Sequence, residues 1–244
     1  MDKNYYHQYY HYERSHWWFI VRGKIIMDHI KGLSPKQNLR ILNIGIATGR
    51  TTELLREFGE VTSVEYDQDC CLFLREHLKM DVINASITEL PFENDSFDLV
   101  CAFDVIEHVE DHVKATHEIH RVCSKQGHMI VTVPALMSLW SDHDVINHHV
   151  RRYKKIELET LFKQVKGRIN KAFYFNSLLF PMIYLFRKLE FNKNKNKAKS
   201  DFESSKSSLL NKIFYGLFSL ERKLLKWISF PIGVSILLDF QKED

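Results

Sequence analysis

The sequence predicts an α/β protein built around a mostly parallel sheet. Short apolar runs rich in β-branched residues alternate with helical segments between residues 39 and 133. Strands separated by helices of this length are typical of βαβ units, whose consecutive strands run parallel. The 244 residues, 45% hydrophobic and 27% charged, are enough for one large domain with an appendage.

Hydrophobic periodicity predicts each element in chain order. Up to the fifth strand we expect helices at residues 19–30, 51–58, 69–79 and 111–123, and strands at 39–44, 61–66, 81–84, 97–103 and 128–133. The pattern changes after Pro134. There we expect a histidine-rich loop at 141–153, a helix at 157–165, a sixth strand at 168–175, helices at 178–189 and 209–228, and a closing strand at 233–240.

The same pattern divides the chain into four segments. Residues 1–35 are dense in Tyr, Trp, Phe and His and are expected to form an aromatic N-terminal cap. Residues 36–175 would carry the sheet, 176–230 would form a helical insertion, and 231–244 would close the sheet. The stretch 192–208 within the insertion is rich in Lys, Asn and Ser, so we expect a mobile linker there.

Composition and charge narrow the class of function. A formal net charge of +3 is too small to indicate a nucleic-acid partner. Basic residues crowd the region from Lys163 to Lys226, which could favour an anionic membrane surface or an anionic substrate. The four cysteines lack C-x-x-C spacing, and no signal peptide or membrane span is visible, so we expect reduced thiols in a cytoplasmic protein.

A glycine turn follows the first strand. Gly45 and Gly49 lie where a buried strand turns into a helix, and glycine lets the backbone turn tightly and approach a ligand closely. Glu65 ends the next strand about 20 residues later, where an acidic residue can accept hydrogen bonds from ribose hydroxyls. The alternative for Glu65 is a solvated carboxylate at a strand end, and the preceding glycine turn favours the ribose contact.

Five ordered blocks resemble a known family. Class I S-adenosylmethionine (SAM)-dependent methyltransferases carry, in the same order, blocks similar to ILNIGIATGR, VTSVEYD, ITELPFENDSFDLV, DVIEHVED and RVCSKQGHMIVTVP. The resemblance covers residues 25–153. It implies a Rossmann-like, seven-stranded, three-layer sandwich whose last strand is antiparallel, with SAM as the cofactor.

The resemblance also implies which residues contact SAM. The glycine turn would lie under the methionine part, and Glu65 would hold the ribose. The full set expected is Asn43, Gly45, Ala47, Gly49, Glu65, Tyr66, Ser86, Ile87, Phe103 and Asp104.

Three of these positions depart from the family. It usually has Asp or Glu at the position of Asn43, Gly at Ala47 and Asp at Ser86. Asn43 can still accept a hydrogen bond, but it loses the attraction for the cofactor's ammonium group. These departures leave open a degenerate SAM-binding module that does no chemistry.

The block DVIEH, residues 104–108, has two interpretations. It can simply shape the acceptor side, as in many small-molecule methyltransferases, and we prefer this metal-free interpretation. It also resembles the acid-x-x-Glu-His site that holds Mg²⁺ in ubiquinone-type and small-RNA O-methyltransferases. Asp104, Glu107 and His108 would then meet a further histidine from the later loop, and the ion would lower the pKa of an acceptor hydroxyl.

The loop at 141–153 follows the fifth strand and is expected at the rim of the active site. His108 and His143 are the expected catalytic residues, because histidine near its ordinary pKa can remove a proton from an acceptor. Arginine can clamp a phosphate or carboxylate, although rim arginines also commonly bond to helix C-termini. The residues expected to bind substrate are His16, Trp18, Arg22, His148, Arg151, Arg152 and Tyr153.

Together these features predict methyl transfer from SAM to a small or lipid-linked acceptor, with O-methylation favoured. The helix at 209–228 is expected to pack on its own domain. Alternatively it is an interfacial helix that gives residues 176–230 a peripheral contact with the inner membrane face. Its apolar stripe runs through Leu210, Ile213, Phe214, Leu217, Leu224 and Ile228. The acceptor, the methylated atom and the oligomeric state do not follow from the sequence.

Overall fold

The computed structural model describes residues 3–33, 38–191 and 208–244. Up to the fifth strand its elements are α1 (Lys3–Ser15), α2 (Trp17–Gly32), β1 (Leu39–Ile44), α3 (Arg50–Leu55), β2 (Gly59–Glu65), α4 (Gln68–Leu78), β3 (Ile83–Asn84), β4 (Phe97–Phe103), α5 (His112–Val122) and β5 (Cys123–Pro134). The remaining elements are α6 (Asp142–Ile146), α7 (Lys155–Phe162), β6 (Gly167–Phe175), α8 (Phe180–Phe191), α9 (Ser208–Leu224) and β7 (Ser235–Lys242).

One seven-stranded sheet carries the fold, in the order β3-β2-β1-β4-β5-β7-β6. The first five strands pair in parallel, and β7 runs antiparallel between β5 and β6. This topology confirms the predicted Rossmann-like sheet and its antiparallel last strand. From β1 the chain moves outward to β2 and β3, and from β4 it moves to the other side, which creates a switch point between β1 and β4.

Helices cover both faces of the sheet because its strands are apolar on both sides. In β1, Leu42 and Ile44 join the core under α5 and α7. Ile41 points to the other face and joins the core formed with α2 and α9. Asn43 has the same parity as Ile41, so its side chain lies on the face covered by α2 and α3.

The N-terminal segment forms two helices where the sequence predicted one. The break falls at His16, whose side chain accepts a hydrogen bond from the backbone of Trp18, as an N-cap does. α1 packs on α4 through Tyr6 and Phe73, whose ring centroids lie 5.6 Å apart. This extra helix covers the turn that follows β1.

Other differences from the predicted elements are local. The loop expected at 141–153 contains the short helix α6, which begins with a capping box between Ser141 and Asp144. α9 ends at Leu224, four residues before the predicted boundary. The predicted linker lies outside the described residues except at its last position. All four cysteines are buried and free.

None of the helices in the described part of the chain combines the length and hydropathy that a bilayer crossing requires.

Candidate active site

A cavity of about 1180 Å³ opens at the carboxyl ends of the strands. Residues at the ends of β1 to β5, or just after them, form its wall, among them Gly45, Glu65, Ser86, Asp104 and Pro134. The cavity therefore lies at the switch point, where α/β proteins of this topology bind ligands. Its volume exceeds the range of about 300–1,000 Å³ that is usual for one small ligand, so it has room for two.

The turn after β1 adopts a backbone that favours glycine. Gly45, Ala47 and Gly49 have φ angles of +67°, +48° and +85°. At Gly45 an added Cβ would collide with the side chain of Val105. The left-handed conformation is costly for any residue with a Cβ, so Ala47 carries strain that a glycine would not.

Glu65 holds this turn from the end of β2. Its Oε2 accepts a hydrogen bond from the backbone N–H of Ala47, and its Oε1 accepts one from that of Asp67, both at 3.0 Å. Burial raises the pKa of Glu65, while these hydrogen bonds oppose the shift. A carboxylate can accept about four hydrogen bonds, so capacity remains for ligand hydroxyls in the cavity.

An ion pair closes the wall beyond β4. Arg22 of α2 reaches Asp104 at 2.6 Å and donates a hydrogen bond to Thr132. Its guanidinium lies 5.1 Å from the ring centroid of Trp18. Asp104 has a φ of +56°, an unusual conformation for a non-glycine residue that places its carboxylate at the cavity.

Beside this pair, Glu107, His108 and His149 form a cluster at the cavity wall. Their ligand atoms lie within 4.8 Å of one another, so the three side chains could hold a metal ion. Glu107 is fully buried, and neither carboxylate oxygen has a hydrogen-bond partner among the described residues. Burial raises the pKa of Glu107 well above its usual range and lowers the pKa of His108 to about 4, so burial favours the neutral form of both side chains.

Asp144 stabilises the loop that carries His149. It accepts hydrogen bonds from His149 Nδ1 at 2.8 Å and from Arg152 Nε at 2.7 Å. Burial opposes ionisation, but His149 and Arg152 outweigh it and hold the pKa of Asp144 well below its usual range. These hydrogen bonds tie His149 and Arg152 to the same carboxylate and so stabilise the loop beside the cluster.

Comparison with known proteins identifies the domain around this cavity. A family model described as "Methyltransferase domain" matches residues 42–131. A Mycobacterium tuberculosis protein named as a probable S-adenosylmethionine-dependent methyltransferase is 30% identical over 152 residues, which are 60% of this chain and 54% of that protein. The chain contains a SAM-dependent methyltransferase domain.

Two further similarities extend beyond the matched domain. An uncharacterized protein of Methanocaldococcus jannaschii is 29% identical over 189 residues, 74% of this chain and 80% of its own length. The crystal structure of a SAM-dependent methyltransferase from Archaeoglobus fulgidus superimposes with a TM-score of 0.56 at 17% identity, covering 90% of this chain and 94% of the other. The chain spans about half the length of the mycobacterial relative.

The cavity of the methyltransferase domain fits SAM, which carries a sulfonium and an ammonium group. Carboxylates outnumber guanidinium groups among the described residues that line it, which suits a ligand with a net positive charge. The tight turn at Gly45 leaves backbone exposed to the cavity, and Glu65 supplies the acidic group that ribose hydroxyls require.

Most of the predicted site residues line this cavity. They are Gly45, Ala47, Glu65, Tyr66, Ser86, Ile87, Phe103 and Asp104 from the cofactor set, His108 and His143 from the catalytic set, and His16, Trp18, Arg22, His148 and Arg152 from the substrate set.

Four predicted residues lie outside the cavity wall. Asn43 donates hydrogen bonds to the side chains of two threonines of α3. Gly49 faces the core, where an added Cβ would meet the sulfur of Met80. Arg151 donates to the backbone carbonyl of Glu110 at 2.9 Å, and Tyr153 is buried with its hydroxyl 2.8 Å from His112 Nδ1.

The aromatic N-terminal segment and the apolar helix from Leu178 are expected from the sequence to meet above the strand ends, but sequence analysis named as site residues none of the residues of α1 and α8 that line the cavity. Tyr6, Tyr9 and Glu13 of α1 line the cavity, as do Met182 and Phe186 of α8. No motif marks them, because they reach the site only through tertiary packing. The density of aromatic residues before position 20 was the available signal.

Proposed function

We propose that the chain methylates an oxygen atom of a hydrophobic, lipid-like acceptor that it meets at a membrane surface. The observation that carries this proposal is the apolar mouth of the cavity. Met182, Phe186 and Leu210 line the cavity and are also about half exposed, so they border its opening. Apolar walls with few polar groups suit a hydrophobic acceptor better than a free sugar.

Within this cavity the chain's own residues align the acceptor and accept the proton that its hydroxyl group loses. SAM, when bound, supplies a methyl group already activated by the sulfonium, so alignment of the acceptor is the main task of the protein. Trp18, Phe103 and Phe186 exclude water from the acceptor end. His143 is the imidazole that would receive the acceptor's proton, because burial lowers the pKa of the other expected base, His108, to about 4 and makes it a weak proton acceptor.

The outer face of α9 supports delivery from a membrane. Leu210, Ile213, Leu217 and Leu220 recur at helical spacing and are all exposed. The structure places Phe214, predicted on this stripe, with the inner face that packs against α2. α9 is therefore apolar on two sides, and the outer side has Leu210 at the mouth of the cavity.

Charge beside the stripe favours an anionic bilayer. Lys212 and Lys223 are exposed on α9 at helical positions away from the inner face. Trp227, which follows the helix, is 88% exposed. An apolar stripe flanked by lysines with a nearby tryptophan is the pattern of helices that lie in a membrane interface.

The acceptor class is tested by incubating the purified chain with methyl-labelled SAM and a lysate of the source organism, followed by separation of lipid, glycan and small-molecule fractions. We expect the label in the lipid fraction. Label confined to glycans or water-soluble compounds would contradict the hydrophobic acceptor. Repeating the reaction with EDTA tests the metal-free interpretation of the cluster. We expect full activity, whereas a loss of activity restored by a divalent ion would contradict that interpretation.

Membrane contact is tested by flotation with vesicles of phosphatidylcholine with or without phosphatidylglycerol. We expect binding only to the anionic vesicles and its loss in the double variant Leu217→Glu/Leu220→Glu. The matched control is Ile156→Glu, which places a charge on an equally apolar, exposed position of α7. If the stripe instead mediates dimerisation in sedimentation experiments without lipid binding, the membrane proposal is wrong.

A further inference from the structure

A buried carboxylate of α1 reaches the cavity beside the turn after β1. Glu13 is 6% exposed and lines the cavity. Its Oε2 accepts a hydrogen bond from the hydroxyl of Thr48, and the backbone N–H of Arg50 also donates to it. Both donors belong to the turn region, so the carboxylate is oriented by the segment over which the methionine part of SAM is proposed to lie.

The charge of Glu13 is only weakly compensated within the protein. Arg14 Nη1 lies 3.9 Å away, and the same guanidinium bonds Glu53 and the carbonyl of Thr48 through its Nη2. A carboxylate removed from water without a close partner is expensive to ionise. A cation that enters the cavity would relieve this cost.

The other described carboxylates of the cavity are committed elsewhere. Asp67 caps α4 and accepts from Tyr6, and Asp104 pairs with Arg22. Glu65 holds the turn from the opposite side, where the ribose is proposed to bind. Asp111 caps α5, Glu110 is largely exposed, and Glu107 lies with the histidines beyond β4.

We infer that Glu13 binds the α-ammonium group of the cofactor and supplies the charge that Asn43 lacks. Asn43 cannot make this contact, because its side chain faces α3 and lies outside the cavity wall. The inference rests on the proposed binding of SAM with its methionine part at this turn. It assigns α1 a role in cofactor recognition in addition to covering the site.

Calorimetric titration with three ligands separates this role from a structural one. S-adenosylhomocysteine carries both the ammonium and the carboxylate group of its amino-acid end. Its deaminated analogue lacks only the ammonium group, and 5′-methylthioadenosine lacks the whole amino-acid end. Glu13→Gln is expected to weaken S-adenosylhomocysteine binding about 10- to 100-fold, as loss of a charge-assisted hydrogen bond does. Binding of methylthioadenosine should stay unchanged, and the variant should no longer distinguish S-adenosylhomocysteine from its deaminated analogue.

The matched control is Glu53→Gln, which removes the other acidic partner of Arg14 without touching the cavity wall. It should leave all three affinities unchanged. If Glu13→Gln weakens S-adenosylhomocysteine and methylthioadenosine equally, Glu13 has only a structural role and the inference is wrong. If the unmodified protein binds none of the ligands, the proposed cofactor site itself fails, which is a different result.

A pH titration of the unmodified protein gives a second readout that needs no variant. Burial raises the pKa of Glu13 to about 7, against the opposing effect of Thr48, Arg14 and Arg22. The Cys70 thiol of α4 also faces Glu13 and stays neutral, because burial raises its pKa. S-adenosylhomocysteine affinity should therefore fall as the pH drops through 7, while methylthioadenosine affinity should not. A parallel decline for both ligands would overturn the inference.

Discussion

Replacing Glu65 with Gln tests the cofactor side of the cavity. The carboxylate accepts two backbone hydrogen bonds at 3.0 Å, from Ala47 and Asp67. In Glu65→Gln one of these N–H donors faces an amide NH₂ group, and the ribose hydroxyls lose a charged acceptor. Losing one charge-assisted hydrogen bond costs about 1.5–3 kcal/mol. The dissociation constant for S-adenosylhomocysteine should therefore rise about 10- to 150-fold.

Isothermal titration calorimetry measures this change directly. Glu60→Gln is the matched control, because Glu60 lies on the same strand β2 but is exposed and outside the cavity wall. It should bind S-adenosylhomocysteine as the unmodified protein does. A Glu65→Gln variant with unchanged affinity and a normal melting temperature would refute the assignment of Glu65 to the ribose.

Three further predictions concern the turn, the loop and the acceptor side. Gly49→Ala should lower the free energy of unfolding by at least about 1–2 kcal/mol because of its φ of +85°, and an unchanged denaturation midpoint would contradict this. Asp144→Asn breaks buried pairs with His149 and Arg152 and should destabilise the fold by about 3–5 kcal/mol at pH 7. Because the folded state depresses the pKa of Asp144, the difference in stability between the two proteins should shrink as the pH falls below about 4, and a pH-independent difference would refute the ion-pair explanation. His143→Ala should lower turnover far more than SAM affinity, and the reverse pattern would move the acceptor side elsewhere.

The sheet could be predicted from the sequence because its strands are apolar on both faces. The predicted bounds of β4 agree with the structure. All residues of Phe97–Phe103 are apolar except Asp98, so the strand stands out in the sequence. α1 escaped prediction because it contains no aliphatic residue to mark a core face and is rich in Tyr and His, which are weak helix formers. It is held by distant partners, such as Phe73 for Tyr6 and Thr48 for Glu13.

For the site as well, local sequence patterns predicted some residues, but not the contacts that arise from tertiary packing. Rules about strand ends predicted the cavity positions of Glu65 and His143, and the family resemblance implied that of Asp104. The side chain of Asn43 instead donates hydrogen bonds to two threonines of α3 and lies outside the cavity wall, a pairing that the family resemblance did not indicate. Pairing between residues far apart in the chain could not be predicted, because no local pattern records it.

The most direct test of the central claim is a calorimetric titration of the unmodified chain with SAM and S-adenosylhomocysteine. The cavity at the switch point, the left-handed turn at Gly45 and the acidic lining predict that both ligands bind with dissociation constants well below 1 mM, in one-to-one stoichiometry. Absence of binding by both ligands in that range would contradict the assignment of this cavity to SAM.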